Sequence, residues 1–378
     1  MADKDWLVQL NDRVRGSLIG GAAGDALGYA IEFHDEEYIF QKYGPSGITE
    51  YDLFDGKALI SDDTQMTLFT AAGLLTFYTV AMQRVVFRTA EPFIYLSYLD
   101  WLHTQVPGDY PQYPALTWLA DEQGLYARRA PGNTCLSALL SRQMGAIGFR
   151  INNSKGCGGV MRVAPVGLLM GVAETNYKKV DELGAEAAAI THGSDLGFIP
   201  AAMLADLTGR LSHSDISIQE AVDAALVSMK ELFGDMEHIG QFMNLMQKAV
   251  ALSQEDIDDL DAIHKLGEGW VADEALAIAV YCSLKYPEDI EKALIASVNH
   301  NGDSDSTGSI TGNIVGAHVG FSRIPDKFKR DLELKDIILE IADDLSLGTE
   351  KLTLGQKKLN KEWARKYMRW PLEEFSDI

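Results

Sequence analysis

Two helix-length stretches of this chain carry a glycine at every fourth residue. In RVRGSLIGGAAGDALGYAIEF these are Gly16, Gly20, Gly24 and Gly28; in GSITGNIVGAHVG they are Gly308, Gly312, Gly316 and Gly320. A spacing of four puts each set on one helix face. Glycine inside a helix costs about 1 kcal/mol relative to alanine, so such a face persists only where close backbone packing offsets the loss. A membrane span does not explain either stretch. Arg13, Arg15, Asp25 and Glu32 interrupt the first, and the second is short and carries His318. Both are expected to be central helices whose glycine faces admit close neighbours, each other among them, so that their acidic ends come together.

The rest of the chain reads as helical. ISIQEAVDAALVSMKELF sets Ile218, Val222, Ala225, Leu226, Met229 and Phe233 on one apolar stripe. Comparable patterns run over 66–80, 84–104, 184–192, 199–211, 270–286 and 288–299, with no convincing series of strands. The loops YGPSG, QVPGDYPQYP, RRAPGNT and NNSKGCGG are too short to divide the chain, and 47% apolar residues in 378 can fill one sizeable core. The expectation is a single all-α domain.

Asp and Glu outnumber Lys and Arg by 55 to 33, a formal charge of −22, which disfavours nucleic acid or an anionic membrane as partner. An anionic ligand would therefore need cations. Cys135, Cys157 and Cys282 are odd in number and widely spaced, as for reduced thiols. The polar, acidic start MADKDWLVQLNDR is no signal or transit peptide, so the cytoplasm is the expected location.

Chemistry concentrates in two acidic segments. NHNGDSDSTG places Asp303, Asp305 and Ser306 just before one glycine stripe, and ISDDTQ places Ser61, Asp62 and Asp63 before an apolar run. The former is no calcium EF-hand, because the twelfth position from Asp303 is Ile314 where that loop needs glutamate. Each segment alone reads as a helix cap. Four carboxylates and two hydroxyls exceed what capping needs, and such oxygen donors suit Mg²⁺, Mn²⁺ or Ca²⁺. No histidine pattern supports zinc. His192, before Gly193, reads as a helix C-terminal residue, and SKGCGGVMRVAP at 154–165 as either a turn or a phosphate-approaching loop, since it lacks the P-loop G-K-[ST]. Lys357, Lys358, Lys361, Arg365, Lys366 and Arg369 read as a solvated helix face.

Taken in order, GSLIGGAAGDALGYAIEF, ISDDTQMTLFTAAGLL, RRAPGNTCLSAL, KGCGGVMRVAPVGLL, ITHGSDLGF, GWVADEALAIAVYC and NHNGDSDSTGSITGNIVGAHVG resemble the ADP-ribosylglycohydrolase family across residues 12–345. The resemblance implies a compact, single-domain, all-α fold with a binuclear metal cleft, preceded by an extension over 1–11 and followed by a helical tail over 346–378. It implies two Mg²⁺ ions, or Mn²⁺, held by Ser61, Asp62, Asp63, Asp303, Asp305 and Ser306. Serine stands in both clusters where several relatives have threonine, and the hydroxyl oxygen is kept. Glu32 matches a glutamate that approaches the bound ribose, and Asp305 is expected both to bind metal and to orient or deprotonate the attacking water. Gly156, Cys157, Gly158, Gly159 and Met161 match the loop around the distal ribose and diphosphate, with Arg162 a further candidate for the diphosphate. His192 matches a residue lining the cleft. Asn133 stands where arginine-directed relatives can have an acid.

The activity implied is hydrolysis of the glycosidic bond that joins ADP-ribose to a protein side chain, arginine foremost. Serine-linked or small-molecule conjugates, and a non-catalytic ADP-ribose- or partner-binding role, are the alternatives. ADP-ribose and an ADP-ribosylated protein are the expected partners, an ADP-ribosylating toxin is a further one, and the chain is expected to be monomeric.

Overall fold

The computed structural model describes residues 4–82, 89–106, 108, 114–170, 177–353 and 361–370. Among these residues seventeen α-helices and four short 3-10 helices follow one another; extended pairing is limited to isolated bridges, and no strand forms. The all-α expectation therefore holds. The stripe in 218–233 is the helix Ile218–Phe233, opened by a capping box in which Ser217 Oγ accepts the Glu220 N–H at 3.2 Å and the Glu220 carboxylate accepts the Ser217 N–H at 2.8 Å. Five of its six stripe residues are buried, and Leu226 is half-buried against the core. Helices Asp62–Met82, Lys178–Ala189, Asp195–His213, Ala272–Lys285 and Ile290–Val298 overlie other periodic segments. Of the pattern at 84–104, residues 84–88 lie outside the described residues, and the helix there is Glu91–Gln105 with a proline in its first turn. The loop QVPGDYPQYP also lies largely outside them.

The two glycine-striped helices, Lys4–Tyr29 and Ser304–Val319, pack on each other antiparallel and at the heart of the molecule. Gly16 faces Gly316, Gly20 faces Gly312, Gly24 faces Gly308 and Gly28 faces Ser304. A Cβ built on Gly308 would stand 2.5 Å from the Gly24 carbonyl oxygen, and one on Gly312 would meet the Gly20 carbonyl closer still. Only hydrogen fits. Gly320, the last of its stripe, ends the helix at φ +83°, a left-handed conformation that suits glycine. Other faces of the pair are apolar and buried, through Leu18, Ile19, Leu27, Ile310, Ile314 and Val315. Because the helices are antiparallel, the C-terminal end of the first lies beside the N-terminal end of the second. That arrangement carries Glu32 toward Asp303 and Asp305.

Near the C-terminus, helix Lys361–Tyr367 docks through buried Trp363 and Tyr367, with Trp363 Nε1 donating to Thr79 Oγ1 at 2.9 Å. Two members of the basic run are turned onto acids. Lys366 pairs with Asp344 at 2.7 Å and Arg369 with Asp121 at 2.7 Å, while Lys357 and Lys358 lie outside the described residues. No helix among the described residues is long and apolar enough to cross a membrane.

Candidate active site and metal centre

A cleft of about 390 Å³ opens where the glycine helices end. It is lined by Glu32, Asp62, Asp63, Asp303, Asp305 and Ser306, together with Asn133, Cys157, Gly158 and Met161. The two acidic segments, 240 residues apart in sequence, therefore share one wall. Phe33, Trp270 and the loop Ala130–Gly132 complete the lining, and none of the lining residues is basic. Gly156, Gly159, Ser61 and His192 are not part of that lining.

Each acidic segment opens a helix. At Asp62–Met82, Ser61 Oγ accepts the Asp63 N–H at 3.2 Å. At Ser304–Val319, Asp303 is the N-cap, with Oδ1 accepting the Ser306 N–H at 3.3 Å, and Asp305 Oδ1 accepts the same N–H at 2.9 Å. Capping is thus real, yet it does not occupy all the oxygens. Glu32 Oε2 and Asp63 Oδ2 are buried without a hydrogen-bond partner among the described residues. One carboxylate oxygen from each of Glu32, Asp303 and Asp305 lies within 4.8 Å of the others.

The electrostatics follow from burial. Glu32, Asp62, Asp63, Asp303 and Asp305 are each at most 7% exposed. Burial first, and then the charges of Asp303, Asp62 and Asp25, push the Glu32 carboxyl up to about 9. Burial also raises Asp62 to about 8, and it drives Asp63 and Asp305 well above the ordinary carboxylate range. Unpartnered oxygens and mutually repelling acids with no basic neighbour fit a hard divalent cation. Cys157 does not make the donor set softer. Its thiol donates to Asp303 Oδ2 at 2.6 Å, and burial with the Asp303 charge pushes its pKa well up, so it keeps its proton.

Spacing alone does not single out Asp25, which holds the first segment in place. Completely buried on helix Lys4–Tyr29, its carboxylate accepts the Ser61 N–H at 2.9 Å, the Thr64 N–H at 3.1 Å and the Thr64 hydroxyl. It therefore caps helix Asp62–Met82 from a neighbouring helix, although burial raises its pKa to about 6. The signal in the sequence was an acid directly after a stripe glycine, in an otherwise apolar segment. Over the same segment, Gly132 N–H donates to Asp62 Oδ2 at 3.1 Å, and Arg129 anchors that loop through Glu333 at 2.6 and 3.0 Å.

Two residues of the glycine-loop region stand behind the cleft. His192 is 1% exposed, its Nδ1 is 2.8 Å from Thr191 Oγ1, and a Cβ on Gly158 would lie 3.2 Å from its ring. Burial and the nearby Arg162 cation depress it to about 3, so it supports the loop as a neutral ring. Arg162 does not reach a diphosphate as expected. It is fully buried, with Nη2 donating to Ala187 O at 3.1 Å and Thr191 Oγ1 at 2.7 Å beneath the Tyr98 ring, so internal oxygens and a π-face draw it into the core, while its Nε is without a partner among the described residues.

The sequence model of the ADP-ribosylglycohydrolase family matches residues 7–354. Similar proteins include the ADP-ribosylhydrolase ARH3 of Mus musculus, 28% identical over 49% of this chain and 55% of the relative, and that of Homo sapiens, 26% identical over 49% and 56%. The chain thus spans about half the length of those two relatives. The ARH3 of Danio rerio is 25% identical over 90% of each chain. A solved structure, an ADP-ribosylglycohydrolase-related protein complex, shares the fold at TM-score 0.56 and 22% identity, over 90% of this chain and 99% of its own. With matching motifs in order, an all-α fold and the paired acidic segments in one cleft, this chain belongs to the ADP-ribosylglycohydrolase family.

Proposed function

We propose that this chain is a divalent-metal-dependent hydrolase that releases ADP-ribose from a modified protein side chain, arginine being the leaving group. The observation that carries the reading is the convergence of Glu32, Asp303 and Asp305 at the floor of the cleft, with Glu32 Oε2 and the neighbouring Asp63 Oδ2 left unpartnered. Ser61, Asp62, Asp63, Asp303, Asp305 and Ser306 would hold two Mg²⁺ ions, or Mn²⁺, which supply electrophilic polarisation and neutralise the carboxylates.

The chain's own groups do the rest. Cleaving a glycosidic bond builds oxocarbenium character on the ribose, and the anionic floor stabilises it. Asp305, its Oδ1 fixed by the Ser306 N–H, takes the proton of the attacking water. Glu32 contacts the ribose from the end of the first glycine helix. Cys157, Gly158 and Met161, which line the cleft, accommodate the ribose and diphosphate, Gly156 and Gly159 let the loop take that path, and His192 backs it. Asn133, exposed at the cleft, offers the leaving group a neutral amide. That neutrality favours a second reading, a serine-linked conjugate whose leaving group carries no charge. The three free cysteines accord with a reducing compartment, and we place the protein in the cytoplasm as a monomer. Its substrate protein would be modified by an endogenous enzyme or by a toxin.

The test is release of ADP-ribose from matched arginine- and serine-linked substrates, with Mg²⁺ or with EDTA, by wild type and Asp305→Asn. Metal-dependent release, reduced at least about 100-fold in the variant, is expected. Binding of ADP-ribose without release from either substrate would move the chain to the non-catalytic class.

A further inference from the structure

No basic side chain lines the cleft, yet a buried imidazole stands three residues before Asp303. His300 lies just past the end of helix Ile290–Val298 and is fully buried. Its Nδ1 is 2.8 Å from Asn301 O, and its Nε2 is 3.0 Å from both Ser297 O and Thr307 Oγ1. The chemistry above gives this ring no task.

Protons are too few around the ring unless it carries two itself. A carbonyl only accepts, so a bare ring nitrogen facing one sets lone pair against lone pair. With a proton on Nε2 alone, Nδ1 would face Asn301 O in that way at 2.8 Å. With a proton on Nδ1 alone, the Thr307 hydroxyl would have to turn to Nε2. Ser297 O, buried and 2.6 Å from Thr307 Oγ1, would then receive a proton from neither. The amide that would continue the helix onto it, Asn301 N–H, is turned instead to Glu36 Oε1 at 3.1 Å.

The doubly protonated ring satisfies every one of these contacts. Nδ1 donates to Asn301 O, Nε2 donates to Thr307 Oγ1, and the Thr307 hydroxyl donates to Ser297 O. Ser297 also belongs to the last turn of its helix, the end that favours a cation. Burial draws the ring's pKa down, against the Asn301 and Ser297 carbonyls and the charges of Asp303 and Glu36. The hydrogen bonds favour the charged form, because either neutral form orphans an acceptor.

The same contacts reach the metal centre. Thr307 lies in the first turn of helix Ser304–Val319, and its N–H donates to Asp303 O at 3.1 Å. On the other side, Asp303 N–H donates to Glu268 O at 2.9 Å. We propose that His300 is a buried imidazolium that clasps the end of helix Ile290–Val298 to the start of helix Ser304–Val319, and so positions Asp303 for metal. This rests on the metal-centre reading above.

The experiment has two arms. Neutron diffraction from metal-free wild-type crystals at neutral pH should show a proton on each nitrogen of His300. Calorimetry should show Mg²⁺ bound about tenfold more weakly by His300→Ala, with part of the loss recovered in His300→Gln, which keeps one donor. The gap between wild type and His300→Ala should narrow as pH rises and the ring gives up its second proton. Asp303 and Glu36, the acids that face the ring, are common to both proteins. A single proton on the ring would overturn this inference alone, whether or not the variants fold. An unchanged Kd in a folded His300→Ala would also overturn it, whereas no Mg²⁺ binding by the wild type would remove the metal-centre reading with it.

Discussion

At Asp303–Ser306 the site is positioned by main chain packed on main chain, whereas at Ser61–Thr64 it is positioned by one carboxylate reaching across from another helix. The second segment begins a helix whose glycine face lies on Gly16, Gly20, Gly24 and Gly28, so its place is set by backbone contact that admits no side chain. The first segment depends on Asp25, which satisfies two N–H groups and a hydroxyl there. Two halves of one cleft thus differ in how they fail. Enlarging the glycine seam should remove the fold, whereas removing Asp25 should loosen one half of the site and leave a folded protein.

The largest expected effect is Gly312→Leu. Its side chain would have to occupy the Gly20 backbone, so destabilisation of more than about 4 kcal/mol is expected, read as loss of the cooperative thermal transition or of soluble protein. An unchanged Tm would end the claim that the seam sets the second segment. Next comes Asp25→Ala, which strands three buried donors. It should cost about 3 kcal/mol and about 100-fold in activity or metal affinity, with Asp25→Asn milder because it retains an acceptor. Equal and negligible losses for both variants would show that the first segment stands without its prop.

The smallest effect concerns charge and sharpens the comparison between the two halves. Without metal, the folded-state values of about 8 for Asp62 and about 9 for Glu32 stand above those of the unfolded chain. The folded protein therefore binds more protons, and this contribution to stability is full below about pH 4 and is lost as pH rises through about 9. In EDTA, Tm should fall between about pH 5 and about pH 9. A fixed Mg²⁺ concentration, set to 100 times the Kd at neutral pH, should restore about 2.7 kcal/mol there, with a larger gain at higher pH, where deprotonated carboxylates lower the Kd, and a smaller one at acid pH. A Mg²⁺ effect that is absent, or greater at acid pH, would contradict a carboxylate site.

Glycine spacing and oxygen-rich helix starts were legible because they are local: a period of four defines a helix face whatever packs on it. The order of motifs made the family legible as well. Asp25 was not, since an acid in an apolar helix looks the same whether it interrupts the pattern or caps a neighbour. Arg162 misled for the related reason that a cation beside a glycine loop can turn toward a ligand or into the core, and here Thr191, Ala187 and Tyr98 take it inward. Nor did spacing place Phe33 beside Trp270.

By itself, then, the sequence determined the helices, the demand for a tight glycine seam and the donor types available for metal, because these depend on residues a few positions apart. Only the tertiary structure decided that the two glycine faces meet each other antiparallel, that Glu32 joins Asp303 and Asp305, and that Asp25 steadies Ser61 and Thr64. Those outcomes depend on groups hundreds of residues apart, whose approach is set by how whole helices pack and by which buried polar atoms find partners.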